Sequence, residues 1–160
     1  MTTKISPTLV GDELNIWNSY LLATRLLFDR LDDRLGEDAG VSLADFIVLF
    51  RLGGAGPNGM RMSELADSAV FSRSRISHAF RRLEGEGWVE RRSCPTDRRG
   101  SFGFLTEAGR RKLEEAESTH NEVVRRYFLD SIGEGQAEPF RVFTNTMLRA
   151  LGGHPDVEPC

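Results

Sequence analysis

The stretch MSELADSAVFSRSRISHAFRRLEGEGWVERR, residues 62–92, decides how the rest of the chain is read. Ser63 is placed to cap a short helix over ELADSA. Ser72 opens a second helix expected to run to about Gly85, with Gly87 just beyond its stop. Two short helices joined by three or four residues form a helix-turn-helix unit. In the second helix Ile76, Ala79, Phe80 and Leu83 fall at i, i+3, i+4 and i+7 and make one apolar face. The other face carries Arg75, His78, Arg81 and Arg82, with Arg73 and Ser74 at the leading end. A helix that is cationic on its polar side, with small hydroxyl residues in its first turn, suits entry by its N-terminal end into a DNA major groove.

Downstream, WVERR and SFGFL are rich in β-branched and aromatic residues and flank the loop SCPTDRRG, so they predict a two-stranded hairpin with an arginine-bearing loop. Thr106 then caps a long helix with Leu113, Ala116, Val123, Val124, Tyr127 and Phe128 on its apolar face. After SIGEGQAEP, a final helix carries Phe140, Phe143, Met147, Leu148 and Leu151. Residues 153–160 read as a frayed tail.

Upstream, Leu14, Trp17, Leu21, Thr24, Phe28, Leu31 and Leu35 alternate at spacings of three and four, the seam of a helix that packs along another; the pattern predicts an end near Gly36. With Leu22, Leu26 and Leu27 added, the apolar surface is wider than one neighbour needs, so either a partner chain or a broad intramolecular core covers it. Ser42, three residues before Asp45, caps an apolar second helix, LADFIVLFRL. GGAGPNGMR reads as a connector, because no Gly-Lys-Ser/Thr follows to make a phosphate loop.

The bulk numbers narrow the class. The chain has 160 residues with 39% hydrophobic content, enough for a real core. The formal net charge is -3, yet Phe71–Leu113 holds eleven Lys or Arg against five Asp or Glu, and the remainder holds ten against nineteen. One basic segment in an acidic chain suggests a cationic face that meets an anion such as nucleic acid. No membrane-length apolar run and no signal-peptide layout is present, so a cytoplasmic protein is expected. The histidines, His78, His120 and His154, fall on the second short helix, on a long surface helix and in the tail, which suggests no catalytic arrangement. Cys94 and Cys160 do not match zinc-ligand spacing, so neither a metal nor a cofactor is expected.

In this order of elements, and in the motifs Asp97-Arg98-Arg99-Gly100 and Leu105-Thr106-Glu107-Ala108-Gly109, the chain resembles the MarR family of winged helix-turn-helix transcriptional regulators. The resemblance implies a mainly α fold with a small β-hairpin wing. Its DNA-binding region would span residues 42–105, and helical dimerisation regions would span 10–36 and 106–152. It further implies a homodimer, acting as a repressor on a pseudopalindromic operator, and relieved by a small-molecule ligand. The Ser72 helix then enters the major groove, and Arg99 reaches into the adjacent minor groove, where narrow walls concentrate negative potential. Asp97 is placed to orient the Arg99 guanidinium. Arg75 and His78 are the candidates for base edges, and Ser72, Arg73, Ser74, Arg82 and Arg98 for phosphates.

Trp17, Tyr20, Phe28 and Phe46 are candidates to line an effector cleft, with ordinary core packing as the competing reading. Two alternatives to the regulator stand beside it. One is a winged helix used for protein contact; the other is a redox-sensing regulator using Cys94, a thiol among Arg91, Arg92, Arg98 and Arg99.

Overall fold

A computed structural model describes residues 8–67, 71–93 and 101–153 of the chain. Helix α1, Asp12–Ala39, continues past Gly36 and stops at Gly40, whose left-handed backbone lets its N–H reach the Gly36 carbonyl while Val41 N–H reaches that of Leu35. The expected end near Gly36 is therefore corrected. Glycine inside a helix costs only about 1 kcal/mol, and buried Leu35 and Ala39 on either side hold the last turn in the core.

Helix α2, Leu43–Ala55, is capped by Ser42 with Asp45 returning the bond, as the spacing predicted. It too outruns its expected end, continuing through Gly53 and Gly54. The fully buried Val48, Leu49 and Leu52 carry it on, because packing outweighs the weak propensity of glycine. Asp32 Oδ1 of α1 accepts from Leu43 N at 2.7 Å, fixing the corner between the two helices.

The sheet holds one strand more than the sequence suggested. Strand β1, Met60–Arg61, pairs antiparallel with β3, Ser101–Leu105, which pairs antiparallel with β2, Val89–Ser93, in the order β1-β3-β2. Between β1 and β2 lie α3, Met62–Asp67, and α4, Arg73–Gly85. Ser63, expected as the cap of α3, lies inside it instead. The capping contact comes from Glu64, whose carboxylate accepts from Arg61 N at 3.4 Å.

Helix α5, Glu107–Tyr127, is capped by Thr106 Oγ1, which accepts from Gly109 N at 3.0 Å and donates to the Gly87 carbonyl at 2.8 Å. Its N-terminal end presses so tightly on the residue leading into β2 that a Cβ on Gly109 would lie 2.0 Å from the Trp88 carbonyl oxygen. Along its length α5 packs on α1, with Lys112 Nζ donating to the last carbonyl of α1, Ala39, at 3.1 Å and Thr119 Oγ1 to Asp38 at 3.3 Å. Helix α6, Ala137–Ala150, buries none of its residues within the chain.

His120 is not a plain surface residue as expected. Its ring stacks on buried Phe46 with centroids 4.3 Å apart, and Phe46 also stacks on Phe50. Burial pushes the imidazole below its ordinary 6.5, against a hydrogen bond with Asn121 and the charge of Glu117.

Three outcomes follow for stability. Gly109→Ala should destabilise the fold by about 1–3 kcal/mol or more, since the obstacle is backbone. Gly36→Ala, with nothing within 4 Å of the added carbon, should stabilise it by about 0.5–1 kcal/mol in urea unfolding. As pH falls below 6.5 the unfolded chain takes up a proton that native His120 refuses, so stability declines until the lower native value is passed. Urea titrations across that window should show the slope, and His120→Phe should reduce it.

Candidate nucleic-acid interface

The apolar stripe of α4 is sorted inward. Ile76, Phe80 and Leu83 are fully buried and Ala79 nearly so, which leaves Arg73, Ser74, Arg75, Ser77, His78, Arg81 and Arg82 exposed. Ser72 caps the helix by accepting from Arg75 N at 3.4 Å, and its hydroxyl lies 3.1 Å from that of Ser74. No acid occupies the first turn, so the positive end of the helix dipole and the side-chain charges add rather than cancel.

The structure thus gathers Ser72, Arg73, Ser74, Arg75, His78 and Arg82 on one helix, but gives its arginines different surroundings. Arg73 pairs with Asp67, both well exposed. The Arg75 guanidinium lies over the Phe71 ring, 4.0 Å from its centroid. Arg82 donates to Ser42 Oγ at 2.8 Å and to the buried carboxylate of Asp45. His78 and Arg81 make no hydrogen bond or ion pair among the described residues. Asp97, Arg98 and Arg99, and Cys94 with them, lie outside the described residues.

The sheet adds further guanidiniums, the first of them set against α4. Arg91 lies over the Phe80 ring at 5.0 Å with Glu84 4.0 Å away, Arg92 over Phe104 at 4.3 Å, and Arg61 over Phe102 at 5.1 Å. The three strands set Arg61, Phe102 and Arg92 in one row, because Phe102 is the register partner of both arginines.

The four aromatic residues picked out for an effector cleft do not form one lining. Trp17 and Tyr20 stack on each other on the exposed half of α1, Phe28 meets Phe71 edge-on, and Phe46 is enclosed by Phe50 and His120. Only Phe28 of the four lines the cavity of about 240 Å³ between α1 and the start of α4, together with Arg25, Asp29, Asp32, Leu43, Phe71 and Arg75. Sequence reasoning missed those companions of Phe28 because they meet only through the crossing of α1 over the α4 cap. It also took Asp45 for a helix cap alone. The Ser42-x-x-Asp45 spacing marks the cap but cannot reveal Arg82, 37 residues away.

Comparison with known proteins gives this geometry its context. A family model described as MarR family matches residues 39–100. Sco3205, a MarR family transcriptional regulator from Streptomyces coelicolor solved in complex with DNA, is 35% identical over 93% of each chain, with a TM-score of 0.85. AbsC, a MarR family transcriptional regulator from the same organism, is 31% identical over 92% of this chain and 96% of its own, with a TM-score of 0.80. MepR from S. aureus, solved with DNA, shares the fold at 18% identity and a TM-score of 0.74, covering 84% of this chain and 96% of its own. A search of curated proteins gave no match. With a relative of 35% identity aligned along nearly its whole length, the chain belongs to the MarR family of transcriptional regulators.

Proposed function

We propose that this protein is a sequence-specific DNA-binding repressor that acts as a homodimer on a pseudopalindromic operator. The observation that carries the reading is α4 itself, a helix whose buried side is wholly apolar and whose exposed, capped, acid-free first turn presents Arg73, Ser74 and Arg75. The related regulator Sco3205, solved on DNA, supports the same partner for this chain. In this reading Arg75 and His78 reach base edges, while Ser72, Arg73 and Ser74 hold phosphates. Asp97, Arg98 and Arg99 act at the wing, Arg99 in the minor groove. Occupying the operator blocks transcription sterically.

The dimer is inferred from apolar surface that one chain leaves uncovered. On α1, Leu14, Ile16, Trp17, Tyr20, Leu21, Leu22 and Leu26 are 40–70% exposed, and on α6 Phe140, Val142, Phe143 and Leu148 are 37–53% exposed. Patches of this extent at both ends of the chain mark an association surface. A second copy provides the symmetric cover, placing two α4 helices for two half-sites.

The cavity beside Phe28 is the candidate effector site. Its lining sets apolar Phe28, Leu43 and Phe71 beside two cations, Arg25 and Arg75, and two carboxylates, Asp29 and Asp32, a combination suited to a small organic molecule with an apolar face and polar edges. A ligand there relieves repression only by favouring the DNA-incompetent arrangement, and Arg75 offers the means, since the same guanidinium would serve ligand and base.

Sedimentation equilibrium at micromolar concentration should give twice the 17.9 kDa chain mass, and Leu21→Asp with Phe143→Asp should shift it towards the single chain. A stable monomer of the unmodified protein would defeat the two-half-site reading. In fluorescence anisotropy, selection from random duplexes should recover a near-palindromic site. Arg75→Ala should cost about 1–3 kcal/mol at that site and relax its sequence preference. Arg99→Ala should weaken binding most where the flanking minor groove is narrow. Failure to bind any duplex at low salt would defeat the DNA-binding reading.

A further inference from the structure

Arg82 differs from the other cations of α4 in both position and partner. It sits in the last turn, at the end of the helix opposite the leading turn, and its Nη2 donates to the N-terminus of α2 while the side chain as a whole stays 56% exposed. There Asp45 is 2% exposed. Its Oδ2 accepts from Ser42 N at 2.9 Å, from Ser42 Oγ at 2.8 Å and from Arg82, while its Oδ1 has no hydrogen-bond partner among the described residues. The Ser42 hydroxyl is fully used, donating to Asp45 and accepting from Asp45 N at 3.2 Å and from Arg82 at 2.8 Å. Among the described residues, Arg82 is the cation paired with this buried carboxylate.

Each charge also suits the helix end it occupies. Asp45 lies in the first turn of α2, where the dipole is positive, and Arg82 in the last turn of α4, where it is negative. Both bonds of Arg82 are made by Nη2, and any movement of the side chain that broke them would strand a buried charge whose second oxygen is already without a partner among the described residues. That state is strongly disfavoured.

We propose that Arg82 is a positioning residue for DNA reading: through Asp45 and Ser42 it fixes the tilt of α4, and it is not a phosphate contact. The proposal rests on the DNA-binding reading above and replaces the phosphate role that sequence position gave Arg82. Its reach is geometric. Arg73 lies about 13 Å along the helix axis from Arg82 at 1.5 Å per residue, so a tilt of roughly 10° about the clamped end moves the leading turn by about 2 Å. Side chains that read base edges must be held to about 0.5 Å. A contact at the far end of the helix, one that never touches DNA, therefore controls whether Arg75 and His78 meet their bases.

The test compares the full-length protein with Arg82→Gln, Asp45→Asn, the double variant and Arg82→Lys. Binding is titrated over a range of salt on the duplex selected by the unmodified protein and on a scrambled duplex. Arg82→Gln should lose about tenfold in affinity for the selected duplex and little for the scrambled one, with the slope of log affinity against log salt unchanged. Asp45→Asn should do the same, the double variant should be no worse than the weaker single, and Arg82→Lys should recover part of the loss. A slope reduced by about 1 with additive losses would assign Arg82 to a phosphate and overturn the proposal, and so would an unchanged affinity. Without DNA, amide hydrogen exchange over residues 83–88 should quicken in Arg82→Gln and Asp45→Asn alike, and unchanged exchange overturns the clamp. Should the unmodified protein select no duplex, the regulator reading fails while exchange still decides the clamp.

Discussion

A carboxylate cannot be buried alone, and the position of Asp45 makes that rule an organising constraint on this chain. At 2% exposure it needs a full set of donors on its partnered oxygen. Two come from Ser42, placed there because Gly40 turns the chain sharply out of α1 and Asp32 takes the first free N–H of α2. The third is Arg82, which brings in the last turn of α4. Asp45 thus ties α4 to the start of α2, beside the bond by which Asp32 ties α1 to the same turn. The apolar contacts of Ile76, Phe80 and Leu83 fix the face on which α4 rests but are tolerant of sliding, whereas a charge-assisted pair to a buried partner is directional.

How much of this was legible in the sequence follows from the range of each signal. Ser72 as a cap, the Ile76, Ala79, Phe80 and Leu83 stripe, and Thr106 as a cap are effects within one or two turns, and the structure places all of them as read. Strand β1 was not legible, because two residues carry no period and Met60–Arg61 is a strand only by virtue of β3 beside it. The ends of α1 and α2 were misplaced for the opposite reason. Gly36, Gly53 and Gly54 are local stop signals, and buried neighbours contributed by distant segments overruled them. The contacts of His120 with Phe46 and of Arg82 with Asp45 were not legible either, because those partners lie 74 and 37 residues away.

The aromatic residues of α1 show where a helical pattern alone stops being informative. Trp17, Phe28 and Leu35 lie on one continuous seam, yet Trp17 is 47% exposed, Phe28 lines a cavity and Leu35 is fully buried. A heptad seam states that one side of a helix seeks apolar contact. It does not state whether the contact belongs to the same chain, to a second chain or to a ligand, since each offers the same loss of water.

That division along α1 bears on how the proposed dimer would couple effector to DNA. Twenty-eight residues make a rod about 42 Å long, and its three stretches have three neighbours. The first, through Leu26, is the apolar surface assigned to the second copy. The middle, Arg25 to Asp32, walls the cavity with Phe71 and Arg75, and the last, from Leu31 to Ala39, is locked into the core with α2 and α5. Asp32 spans the last two stretches, since it lines the cavity and also holds the first N–H of α2, that of Leu43, two residues before Asp45. A ligand that displaced Asp32 would therefore disturb the end of α2 on which the Arg82 clamp is built, as well as the Arg75 side chain above it. In a dimer joined through α1, rotation of that rod would carry the change to both half-sites at once. Two responses of α4, at its reading end through Arg75 and at its clamped end through Asp45, would then arise from one displacement.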